Sequence, residues 1–319
     1  MTNTKIITTS IEEIHYDILL QTLCHLDGQS LALASCATSQ LRFVSSHPDL
    51  WRHLCLSNWP SLYHARTLPL VSSSPRRFFS DAFPFPASSS LVDHNDLPVE
   101  LISAVDLYHR GIPIFSCVVE TDTSSAWFRA SPFLIDAQLE GSDISPEDLT
   151  LSWIVIDPSK GRAVNLSSRR PMEVRKRPWC VGETVARFTT VMDGWAVGPV
   201  VMWWKGSGDV MEVELTVEDM DGVCVSGLEG LRLVKAAMEA ERKGKKGEEE
   251  AKEIELYLAN KNQKEDFPCL HSCGPPRSTA RGVRMQRVRR TIPLGQNDRR
   301  PLALDTNGSN GGQLDRASN

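Results

Sequence analysis

The chain has 319 residues, a formal net charge of −5 and 41% hydrophobic residues. That length suggests about two domains, and the composition is that of a folded soluble chain, not a disordered or fibrous one. The slightly acidic balance gives no global attraction to nucleic acid or to an anionic membrane. The first ten residues are polar with a single Lys5, so no secretory leader is expected. The most apolar run, Ala196 to Trp204, falls far short of the roughly 20 residues that cross a bilayer. The nucleus, the cytoplasm or both are the expected compartments. The eight cysteines mostly stand singly among apolar neighbours and read as reduced, buried thiols.

From Ile14 to Trp51 the chain reads as short helices. Asp17 is suited to cap a helix, and Ile18, Leu19, Leu23 and Leu26 then recur at helical spacing. Asp27-Gly28 reads as a break in which glycine supplies a left-handed conformation. Leu31 and Ala34 suggest a second helix, and Leu41 and Val44 a third. Pro48 fits a first helical position, and Leu50, Trp51, Leu54 and Cys55 form a last apolar turn. Helices this short are marginal alone, and Leu19, Leu20 and Leu23 are not all expected to face inward. Spacing alone leaves two readings open: core of a larger domain, or contact with a partner.

Residues 14–51 resemble an F-box. Ile14, Asp17, Ile18, Leu19, Leu23, Leu26, Leu31, Cys36, Leu50 and Trp51 follow the order of that motif. His15 stands where proline is usual, and Ala37 to Gln40 replace the usual Lys-Arg-Trp. Trp59-Pro60-Ser61-Leu62, Phe78 to Pro84 and Leu149 to Ser168 are similar to strings in a group of plant F-box proteins with a long uncharacterised C-terminal region. The likeness covers residues 10 to 260. It implies a substrate-recruiting adaptor that docks on a Skp1-type protein and, through it, on a cullin-based ubiquitin ligase (an SCF complex). The Skp1 contacts it implies are Ile14, Asp17, Ile18, Leu19, Leu23, Leu26, Leu31, Leu50 and Trp51. The resemblance implies no catalysis by this chain and no cofactor or metal.

The F-box-like unit is expected over 10–60 and a linker over 61–95, where Ser- and Pro-rich loops flank Phe78, Phe79, Phe83 and Phe85. Aromatic residues bury large areas, so these four are expected to pack on a domain. Residues 97–105 read as a short helix. A β-rich domain follows over 96–260, with Ile112 to Glu120 as a central strand. Further strands are expected at 126–128, 133–135, 149–156, 162–166, 184–191 and 197–204. Met211 to Glu218 alternates apolar and acidic residues and reads as a half-exposed strand. The fold class is therefore α+β: a small helical F-box, a mostly antiparallel β-sandwich or barrel-like domain, a charged C-terminal helix and a disordered tail.

No phosphate-binding loop or nucleophile elbow occurs at a strand-to-helix junction. A protein client is assigned to the β-rich domain, with Trp203, Trp204, Arg175 and Arg177 as contacts. The alternative is a carbohydrate- or ligand-binding sandwich with an appended helical module. Leu228 to Met238 reads as a helix on the sheet, and Ala251 to Leu258 as a solvated charged helix. Over 261–319 the six arginines between Arg277 and Arg290 mark a disordered tail, and no specific nucleic-acid partner is assigned. Cys269-x-His271-x-Cys273 lacks the spacing and the second pair of a zinc site.

Overall fold

The computed structural model describes residues 14–83, 96–140, 145–176, 183–192, 194–204, 210–240 and 248–266. The N-terminal part is a run of short helices, the first four of which are each started by a side-chain cap. In α1 (Tyr16–Leu23) the cap is His15 rather than Asp17: its Nδ1 accepts the Asp17 N–H at 3.4 Å. The residue that departs from the F-box motif thus closes the helix start. Helix α2 (Gly28–Ala37) is capped by Asp27, whose carboxylate accepts the Ser30 N–H at 2.7 Å. Asp27-Gly28 therefore begins a helix, and Gly28 has no left-handed backbone. Thr38 caps α3 (Ser39–Ser45), and His47 caps α4 (Pro48–Asn58) with Pro48 in its first turn.

The chain does not loosen after α4. A 3₁₀ turn (Pro60–Tyr63), α5 (Leu68–Ser73) and α6 (Pro75–Ala82) occupy the first part of the stretch expected as a linker. Pro69 and Pro75 stand in the first turns of α5 and α6, where proline starts a helix as readily as it marks a loop. Phe78 and Phe79 of α6 are buried, and Phe85 lies outside the described residues.

Residues 97–105, expected as a helix, instead lead into β1 (Glu100–His109). A helix buries one stripe, whereas here both faces are buried: Leu101, Val105 and Leu107 belong to one core, Ile102 and Ala104 to another. Arg110 and Gly111 form the turn to β2 (Ile112–Asp122) with φ of 53° and 79°, the pair of positive angles that a tight hairpin needs. Residues 126–128, expected as a strand, lie in a helix, α7 (Ala126–Ala130), capped by Ser125. Strands β3 (Leu134–Glu140), β4 (Leu149–Asp157), β5 (Arg162–Asn165), β6 (Glu173–Lys176), β7 (Glu183–Arg187), β8 (Thr190–Met192), β9 (Trp195–Trp204) and β10 (Val210–Asp219) follow. Helices α8 (Gly227–Glu239) and α9 (Glu248–Asp266) end the described chain.

The strands form two antiparallel sheets, β2-β1-β4-β5 and β3-β10-β9-β7-β6, with β8 beside β9. Strand β2, expected to be central, is an edge of the first sheet, and β1 takes the inner place beside it. The two sheets share a core built from Leu101, Leu107, Trp153 and Val164 on one side and Val201, Val213 and Leu215 on the other. Helix α8 closes this core with Leu231, Val234 and Met238. The opposite face of the first sheet presents Ile102, Ala104, Ile154, Ile156 and Ala163 to the N-terminal helices. The fold is thus three layers: helices, shared sheet, second sheet. The middle layer reads as nearly unbroken apolar runs because it is covered on both sides.

Gly28 shows how tightly the helical layer is built. A Cβ at this position would lie 2.1 Å from Cζ of Phe79. Gly28→Ala is expected to displace that ring and to cost about 1–3 kcal/mol. A chemical-denaturation midpoint equal to that of the unsubstituted chain would contradict this.

Candidate docking surface

Burial divides the F-box-like residues into two sets. Leu19, Leu23, Leu31, Leu50 and Trp51 are buried inside the chain, and Ile14 and Leu26 are half-buried against the same core. Asp17 and Ile18 are exposed. Leu19, Leu20 and Leu23 all face inward, contrary to the expectation from a bundle of three or four helices. The difference lies in the extra surface: α6 and the first sheet enlarge the core that these leucines join. Trp51 donates its indole N–H to the Ser45 carbonyl at 2.7 Å, and its ring meets Phe79 edge-on at 5.4 Å.

Of the large apolar side chains that the first three helices leave in solvent, only Ile18 belongs to the F-box-like set. Phe43 is 72% exposed, Leu33 65% and Ile18 58%, each on a different one of the first three helices. Phe43 and Tyr16 make a tilted ring pair at 6.0 Å. Together with Ser39, Arg42, Ser46, His47 and Pro48 they line an open groove of about 470 Å³. Burial, with the nearby Asp17 and Asp49 carboxylates, pushes the Tyr16 phenol upward, so it remains a neutral hydroxyl at the groove wall. Leu33 and Phe43 are absent from the sequence-derived set. No spacing signal marks Phe43 in the sequence: neighbours on a helix differ by about 100°, yet adjacent Leu19 and Leu20 both reach one core.

The client set is only partly visible. Arg175 is half-buried on β6, opposite Val185 of β7. The backbones of Trp203 and Trp204 end β9, between β7 and β10, while their side chains and the whole of Arg177 lie outside the described residues. Helix α9 is not freely solvated. It buries Ile254 and Tyr257, and Glu218 of β10 accepts hydrogen bonds from Tyr257 (2.8 Å) and Lys261 (2.7 Å). The Cys55 thiol is buried, and burial pushes its pKa up to about 12, which makes it inert. Among the described residues no group of three or more His, Cys, Asp or Glu side chains is placed to hold a metal ion. Cys269, His271 and Cys273 lie outside the described residues, and no described helix is long and apolar enough to cross a membrane.

Four polar links fasten the helical layer to the first sheet. Asp106 of β1 is fully buried and accepts from the Ser61 N–H (2.8 Å), the Ser61 hydroxyl (2.6 Å) and the Ser116 hydroxyl (2.6 Å). Tyr108 donates its hydroxyl to the Asn58 carbonyl at the end of α4. Arg162 of β5 pairs with buried Asp81 of α6 at 2.9 Å. Arg66 pairs with Glu100 at 2.6 Å and Glu120 at 3.3 Å. The first of these partners are 45 residues apart in the chain, so sequence spacing gives no sign of them.

Three curated proteins of Arabidopsis thaliana are similar to this chain over most of its length. "Probable F-box protein At2g36090" is 40% identical over 266 residues, spanning 77% of this chain and 81% of the relative. "F-box protein At2g27310" is 36% identical over 294 residues, 80% and 87% of the two chains. "F-box protein At3g44326" is 33% identical over 306 residues, 81% and 82%. The chain belongs to the plant F-box protein family. No family profile matches it, and no solved structure does. The shared length reaches far beyond a 38-residue box. That extent agrees with the packing, in which the F-box helices have no separate core and are completed by α6 and the first sheet.

Proposed function

We propose that this F-box protein is the substrate-recruiting adaptor of an SCF-type ubiquitin ligase, acting in the nucleus, the cytoplasm or both. Its first three helices dock on a Skp1-type protein and, through it, on a cullin, while the sandwich holds a protein client. The chain carries out no chemistry; ubiquitin transfer belongs to other subunits. Membership of the F-box family carries this reading. The exposed Ile18, Leu33 and Phe43, beside the groove at Tyr16, support placing the contact on α1 to α3. The buried leucines act by shaping this surface rather than by touching a partner.

Ile18→Asp combined with Phe43→Asp puts charge on two exposed positions and removes no buried contact. Affinity for a Skp1-type protein, measured by calorimetry on the full chain, is expected to fall at least about tenfold, or about 1.4 kcal/mol, with the thermal midpoint almost unchanged. Leu19→Ala with Leu23→Ala is instead expected to lower the midpoint. Failure of the unsubstituted chain to bind, or equal binding by the charged variant, would overturn the reading.

A further inference from the structure

Three serines precede a proline in this chain: Ser74, Ser131 and Ser145. Their surroundings separate them. Ser131 is half-buried, its carbonyl accepts the Gly227 N–H at 2.7 Å, and Phe133 follows into the core. Ser145 is exposed, but its hydroxyl is spent on the Glu147 carboxylate at 2.7 Å, and Glu147-Asp148 makes its downstream side acidic. Ser74 is exposed at the junction of α5 and α6, and its hydroxyl caps nothing. Arg76 and Arg77, both exposed, follow at the second and third positions after it. Arg76 reaches back across the helical layer: its guanidinium lies 5.6 Å from the Trp51 ring centre and donates to the Ser46 hydroxyl at 3.4 Å. Ser46 lines the groove beside Phe43.

A free, exposed hydroxyl followed by proline and two arginines has the chemistry of a substrate for a proline-directed protein kinase. Proline at the next position suits a pocket that needs no N–H donor, and arginines beyond it suit an acidic subsite. We propose that Ser74 is a phosphorylation site of this kind, and that the phosphate is then held by Arg76, drawn from Ser46, and by Arg77. In the transfer, Ser74 Oγ bonds to the γ-phosphorus of ATP and the bond from that phosphorus to ADP breaks. The hydroxyl proton passes to the base of the kinase. The first turn of α6 opens during the reaction, which breaks the Phe78 N–H to Ser74 carbonyl bond of 2.9 Å. A dianion at the start of α6 then meets two arginines and the positive end of the helix. The modification thereby takes away a contact at the rim of the groove. The assignment does not depend on the adaptor reading.

The test is incubation of the full chain with ATP and a proline-directed serine/threonine kinase, followed by intact-mass and peptide analysis. The expected result is a single phosphoryl group on Ser74, lost in Ser74→Ala, retained in Ser74→Thr and unaffected by Ser131→Ala or Ser145→Ala. No incorporation, or incorporation undiminished in Ser74→Ala, overturns the site. Phosphorus NMR tests the clamp. The second ionisation of the phosphate is expected below the ordinary value of about 6, returning towards it in Arg76→Gln with Arg77→Gln. A midpoint that these substitutions leave unmoved overturns the clamp.

Discussion

Phe79→Ala is expected to destabilise the whole described fold by about 3–5 kcal/mol. The ring sits at the meeting point of the helical layer. It lies 5.4 Å from Trp51, 5.7 Å from Trp59 and 5.0 Å from Phe83, and Gly28 leaves room for its edge. Removing it opens a cavity that none of these neighbours can fill without leaving its own contacts. The form of the loss matters as much as its size. Ile102, Ile154 and Ile156 of the first sheet belong to the same core as Phe79, so helices and sheet are expected to unfold in one transition. Urea unfolding followed by far-UV circular dichroism and by tryptophan emission checks this. Both signals should move together to a lower midpoint. A sheet signal that keeps its midpoint while the helical signal falls would show two independent units.

That single core is what the sequence conceals. Strand β10 was legible because Val213, Leu215 and Val217 alternate with acidic residues, and α8 because Leu231, Val234 and Met238 share one stripe. Both elements bury one side. Strand β1 was not legible, because a residue pattern carries no period when both sides are buried, and the start at Leu97-Pro98-Val99-Glu100-Leu101 imitates a helix. The same cause hid the role of the leucines. Their surplus over a bundle of three or four helices pointed to an outside partner, yet α6 and the first sheet take up Leu19, Leu20 and Leu23. The residues left over, Ile18, Leu33 and Phe43, are visible only once the inward direction of each helix is fixed. Ile18 alone was in both sets.

Asp106 makes the join between layers sensitive to pH, and its sign runs against the usual carboxylate. Burial raises the Asp106 pKa to about 6, with the Ser116 and Ser61 hydrogen bonds opposing that rise. The folded state therefore holds this proton more tightly than the unfolded chain, where an aspartate titrates near 4. Stability from this group is fully present below about pH 4 and is lost as pH rises to about 6, by about 3 kcal/mol at 1.36 kcal/mol per unit. Above pH 6 the buried charge is retained because three donors face it. Asp106→Asn removes the titration and keeps an oxygen that accepts from the Ser61 N–H and the Ser116 hydroxyl, while its amide donates to the Ser61 hydroxyl. The stability of Asp106→Asn relative to the unsubstituted chain is expected to improve by up to about 3 kcal/mol between pH 4 and 6 and then to level off. Parallel stability curves across that window would refute the assignment. Asp106→Ala is expected to behave differently, costing about 3 kcal/mol or more at neutral pH, because the donors of Ser61 and Ser116 lose their acceptor in a buried layer. The contrast between the two variants separates the charge from the hydrogen bonds. If the amide preserves the join and the methyl group breaks it, the bonding holds the helices to the sheet and the charge is only its cost.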